Sequence, residues 1–130
     1  MPVVSEAGGK ALLAFGALLA ALAVAFGAFG AHALRARLAQ DALGLWQTAA
    51  QYHFWHALGV IAAGLALLHF PDSAWLRAAG ALLALGILFF SGSLYALALS
   101  GARWLGVLTP IGGLAFILGW LALAVGALRG

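Results

Sequence analysis

Cysteine is absent from this 130-residue chain, which excludes disulfides, thiolate metal sites and a cysteine nucleophile. Charge is nearly absent too. Only 7% of the residues are charged and 66% are hydrophobic, whereas roughly 25% of a soluble domain is charged. A water-soluble fold cannot bury that much apolar surface. The charges stand at Glu6, Lys10, Arg35, Arg37, Asp41, Asp72, Arg77, Arg103 and Arg129. The net charge of +3 includes no basic cluster, so nothing is arranged to neutralise a phosphate backbone and nucleic acid is not a partner.

What remains between the charges is four long apolar intervals. About 20 apolar residues at 1.5 Å each cross a bilayer core of roughly 30 Å. Four segments meet that length, 11–31, 46–68, 75–99 and 105–128. The runs are continuous rather than alternating, and an open sheet edge in lipid would leave backbone groups unpaired, so strands are excluded. The sequence therefore predicts an all-α membrane protein, an up-down bundle of four transmembrane helices forming a single integral membrane domain over residues 1–130. The first apolar run is longer than the 7 to 15 residues usual in a signal peptide, so it is read as a mature helix.

Short connections favour antiparallel neighbours. Pro71 stops the second helix, Asp72 or Ser73 is available to cap the third, and a Gly-containing turn at 100–103 separates the third from the fourth. The first loop is the longest; Leu34, Leu38, Leu43 and Leu45 against Arg35, Arg37, Gln40 and Asp41 suit a short interfacial amphipathic helix. Trp46, Trp55, Trp75 and Trp104 stand near the predicted helix ends, where aromatic rings favour the headgroup zone. Lys10, Arg77 and Arg129 lie on the side of the termini and Arg35, Arg37 and Arg103 on the other, so the positive-inside count is tied.

Helices in lipid associate by close backbone approach at small residues. Gly16, Ala20, Ala23, Gly27 and Gly30 define such a face on the first helix, and Gly112, Gly119 and Gly126 recur at the seven-residue repeat of a left-handed seam on the fourth.

The polar residues gather in one half of the membrane: His32 closing the first helix, then Gln47, Gln51, Tyr52, His53 and His56, then Ser91, Ser93 and Tyr95, then Thr109. His56 falls roughly 15 Å inside its predicted helix. Ionisable groups at such depth are functional candidates, although interhelical hydrogen bonds alone can satisfy them. His32, Tyr52, His56, Ser91, Ser93, Tyr95 and Thr109 form the candidate polar pocket. His53 and His56, three apart on one face, with His32 offer nitrogen ligands to Zn or Cu, or to haem through His32 and His56; the leading expectation is no cofactor. A small transporter or channel is the other alternative. No Asp, Glu or Lys lies in a span to serve it, although Thr109, Pro110, Gly112 and Gly113 would permit an irregular start to the fourth helix. Ser91 and Ser93 near a histidine lack an acidic orienter and are expected to back-bond to helix carbonyls, so the chain is not read as an enzyme.

Several of these motifs, in order, carry a family resemblance: Gly27-Ala-Phe-Gly-Ala-His32, Trp46-Gln-Thr, Tyr52-His-Phe-Trp-His56-Ala-Leu, Leu88-Phe-Phe-Ser-Gly-Ser-Leu-Tyr95, Leu108-Thr-Pro-Ile-Gly-Gly-Leu and Gly119-Trp120. Together they closely resemble the YgdD-like family of small bacterial inner-membrane proteins, which has mitochondrial relatives. The resemblance implies four transmembrane helices, a bacterial plasma-membrane location with cytoplasmic termini, and no biochemical activity to carry over. From the polar cluster itself the expectation is a non-enzymatic binding or interaction module, its pocket open toward the side of the first and third loops, in contact with the lipid bilayer and acting as a homo-oligomer or as an accessory subunit of a membrane complex.

Overall fold

The computed structural model describes residues 2–130, with side chains from Glu6 onward, and among these residues there is no strand. The first helix runs Pro2–Phe29 and closes on a π turn, Gly30–Leu34. The second is Gln40–His69. The third extends over Ala74–Ser100 with a π turn at Ile87–Ser91, where the Gly92 N–H bonds to the Ile87 carbonyl. The fourth begins as a 3₁₀ turn, Arg103–Val107, and continues as Leu108–Arg129.

Two boundaries differ from the sequence reading. Residues 32–45 form no separate interfacial helix, because Gly30–Leu34 continues the first helix and Gln40 already opens the second. The amphipathic spacing is still used: Leu34, Leu38, Leu43 and Leu45 pack around Trp46 and Ala98 while Arg35, Arg37, Gln40 and Asp41 stay outside. Nor is the fourth helix broken at Pro110. That proline lies in the first turn of Leu108–Arg129, where a missing N–H is tolerated.

Among the described residues three helices are long and apolar enough to cross a membrane: Glu6–Leu34, Ala74–Ser100 and Arg103–Arg129. The second does not qualify on hydropathy, and its place in the bundle explains why it need not. It packs against all three others, so its two buried histidines, His53 and His56, meet protein, while Gln47, Thr48 and Gln51 stay exposed. Outward faces carry Leu18, Val24, Leu88, Ile117 and Leu121, each more than half exposed, a surface that is stable in lipid and not in water.

Glycines set the two antiparallel seams. Along the first, a Cβ on Gly9 would strike Leu68, one on Gly64 would strike the backbone of Leu13, and one on Gly16 would come within 2.7 Å of Ile61. Along the second, Gly112, Gly119 and Gly126 meet Phe90, Leu83 and Leu76, so a seven-residue repeat on the fourth helix faces a seven-residue repeat on the third. Gly30 lies under the indole of Trp46. Gly27 does not belong to the first seam, since nothing lies within 4 Å of where its Cβ would be. The shared core, Ala57, Val60, Leu83, Ile87 and Phe116 with Leu12 and Leu19, draws on all four helices.

Helix ends are tied locally. The Ser73 hydroxyl accepts the Leu76 N–H at 3.2 Å, and Gly101, in the left-handed region at φ 72°, returns its N–H to the Leu97 carbonyl.

Candidate functional site

The polar side chains do not line one cavity. The second helix presents them in different directions, and they separate into three groups.

The first group sits between the first three helices. The Tyr95 hydroxyl and His53 Nδ1 are 2.9 Å apart, and Phe26 stands edge-on to both rings. His53 is 2% exposed. Its Nε2 has no partner among the described residues, although the Leu19 carbonyl faces the ring. Above it, the Trp46 indole N–H donates 2.8 Å to the Phe26 carbonyl, an approach that Gly30 makes room for. Trp46 is therefore buried rather than at the headgroup zone, and Trp55 is in mid-helix rather than at an end.

The second group joins the third and fourth helices. Ser93 donates 2.9 Å to the Phe90 carbonyl and so accepts from Thr109 at 2.6 Å. Ser91, fully buried, makes no hydrogen bond among the described residues. The expected back-bond fails for Ser91 and holds for Ser93; Ser91 closes the π turn, in which the Ile87 carbonyl accepts the Gly92 N–H.

The third group surrounds His56. Its Nδ1–H donates 2.6 Å to the Tyr52 carbonyl, and its ring lies flat on Phe116 with centroids 3.5 Å apart. A lateral groove of about 530 Å³ opens beside it, walled by Tyr52, His56, Phe90, Gly113, Phe116 and Trp120. Leu114 and Ile117, both more than half exposed, form its lip, so it opens into the bilayer rather than to water. His56 is sixteen residues from Gln40 and thirteen from His69, which puts the groove near mid-membrane, in line with a depth of roughly 15 Å in a core of roughly 30 Å. Phe90, Phe116 and Trp120 are wall residues that polarity could not reveal. The signal present in the sequence was the four-residue spacing of Phe116 and Trp120, which puts both on one helical face.

His32 is exposed at the end of the first helix. His53 faces a different groove, toward the first and third helices. The structure therefore does not bring His32, His53 and His56 together, and no group of three metal-ligating side chains exists among the described residues.

A four-helix bundle with a lipid-facing surface, glycine seams and inward-facing histidines defines a small helical membrane protein. The chain belongs to the family described as Protein of unknown function (DUF423), which matches residues 26–113. It is 46% identical over 120 residues to the UPF0382 membrane protein of Staphylococcus epidermidis, covering 92% of this chain and 97% of that protein. It is 40% identical over 120 residues to the UPF0382 membrane protein YwdK of Bacillus subtilis, covering 92% and 98%. The UPF0382 inner membrane protein YgdD of Escherichia coli is 40% identical over 118 residues, covering 91% of this chain and 89% of that protein. No solved structure matches the chain.

Proposed function

We propose that this chain is a non-enzymatic binding module of the bacterial inner membrane that takes an apolar molecule from the bilayer into the groove beside His56. The observation that carries this reading is a groove of about 530 Å³ at mid-membrane depth, aromatic on its walls and open at a lip of Leu114 and Ile117. Aromatic walls with few polar groups are typical of sites for apolar ligands. A catalytic reading has less support. Ser93 is engaged by Phe90 and Thr109, His56 Nδ1 is engaged by Tyr52, and the three carboxylates, Glu6, Asp41 and Asp72, all stand at or near helix ends. The family resemblance supports cytoplasmic termini, with the loops at 35–39 and 101–102 on the periplasmic side. The glycine seams are used inside the bundle and lend nothing to an oligomer.

The test is saturation-transfer NMR with heptylbenzene on the protein in lipid nanodiscs, beside Gly113→Leu. Gly113 lines the groove and a Cβ there meets nothing closer than 3.9 Å, so leucine fills the groove without straining the helix. Saturable transfer lost in the variant supports the reading; transfer that is absent, or indifferent to Gly113→Leu, overturns it.

A further inference from the structure

We infer that the ligand of this groove is a hydroxyl-bearing aromatic ring on an apolar tail, a phenol or quinol head, whose O–H donates a hydrogen bond to Nε2 of His56. The inference rests on the groove reading above and narrows it to a chemical class.

The argument begins with the tautomer. A backbone carbonyl can only accept, so the 2.6 Å bond to Tyr52 requires the proton of the neutral ring to sit on Nδ1. Nε2 then carries a lone pair and no hydrogen. Between Asp41 and Asp72 the chain holds no Asp, Glu, Lys or Arg, His53 is bonded to Tyr95, and the ring of His56 is held by its stack on Phe116 with planes 12° apart. His56 therefore stands in the groove wall as a fixed acceptor that cannot donate from Nε2. A ligand presenting a carbonyl or ether oxygen there would set acceptor against acceptor; a hydroxyl complements it. In lipid, where no water competes, that pairing decides between otherwise similar molecules.

The aromatic part follows from the walls. Tyr52 lies 5.9 Å from His56 in a stacked arrangement and 4.7 Å from Phe90, and Trp120 is tilted against His56 at 5.7 Å. Such rings favour another ring, offset-stacked or edge-on. Gly113 keeps the floor between them flat. A second copy of this chain cannot supply the phenol. Its only tyrosines are Tyr52 and Tyr95; the first is itself a wall of the groove and the second is bonded to His53.

The experiment compares 4-heptylphenol with 4-heptylanisole, alike in ring and tail but with the donor methylated away. Both are titrated into the protein in nanodiscs, with ¹⁵N spectra of labelled histidine recording the Nε2 of His56. The phenol should bind about five- to ten-fold more tightly than the anisole, the equivalent of one net hydrogen bond, and it alone should move the Nε2 resonance. His56→Phe keeps an aromatic wall and should bind both equally; Gly113→Leu should bind neither. Equal binding by the wild type with no Nε2 shift overturns the donor assignment and leaves the groove standing. Failure of both molecules to bind folded wild-type protein overturns the groove reading and the assignment with it.

Discussion

His56 and Phe116 lie ring upon ring, 3.5 Å between centroids and 12° between planes, joining the second and fourth helices beside the contacts of Tyr52 with Phe116 and of Trp120 with His56. The contact links the second helix to the fourth across the core that Ala57 and Leu83 fill from below. Losing the ring differs from losing its nitrogen. His56→Ala is expected to lower stability by about 2 kcal/mol or more, because the face of Phe116 loses its neighbour. His56→Phe keeps the stack and is expected to cost less than about 1 kcal/mol. Unfolding in mixed micelles with increasing dodecyl sulfate measures both; equal losses would show that the bond to Tyr52, not the stack, holds the pair.

Tyr95 and His53 form an interhelical hydrogen bond that can be isolated by a double-mutant cycle with Tyr95→Phe and His53→Phe. A coupling of about 0.6–2 kcal/mol is expected, the range for such bonds in lipid. Coupling near zero would mean that the aromatic packing of Phe26 against both rings accounts for their association.

The serines should respond in opposite senses. Ser91→Ala removes a buried hydroxyl that has no partner among the described residues, so it should be neutral or stabilise by up to about 1 kcal/mol. Ser93→Ala leaves the Thr109 hydroxyl without its 2.6 Å partner and should destabilise by about 1 kcal/mol. Thermal unfolding monitored by circular dichroism in one detergent ranks the two, and destabilisation by Ser91→Ala would reveal a partner for that hydroxyl.

Glycine substitutions distinguish seam from surface. Gly112→Ala drives a methyl into the backbone of Phe90, which cannot move away as a side-chain tip can, and should cost about 2 kcal/mol or more. Gly27→Ala meets nothing within 4 Å and should be neutral or stabilise by up to about 1 kcal/mol, as expected in a helix interior. Similar unfolding midpoints for the two would overturn the antiparallel seam between the third and fourth helices.

Much of this architecture could be read in the chain before folding. Charges at only nine positions, with long apolar intervals between them, dictate helices in lipid, and Pro71, Ser73 and Gly101 mark their ends by local chemistry. Glycines at 112, 119 and 126 already announce a close-packed face. The groove was less legible, because its walls are Phe90, Phe116 and Trp120, and an aromatic residue in an apolar run looks the same whether it faces lipid or a neighbour. Trp46 shows the same ambiguity: near a predicted helix end it reads as an interfacial anchor, yet its indole is spent on the Phe26 carbonyl.

The sequence by itself determined that the chain lives in a bilayer, how many helices it forms and which residues are polar within them, since these depend on composition and on the period of one helix. Which polar groups meet was decided only by tertiary structure. His53 and His56 are three residues apart and share a helical face in projection, but the third helix takes one through Tyr95 while the fourth takes the other through Phe116. Their partners come from residues about 40 and 60 positions further along the chain, and no local rule carries information over that distance; the register of the glycine seams does.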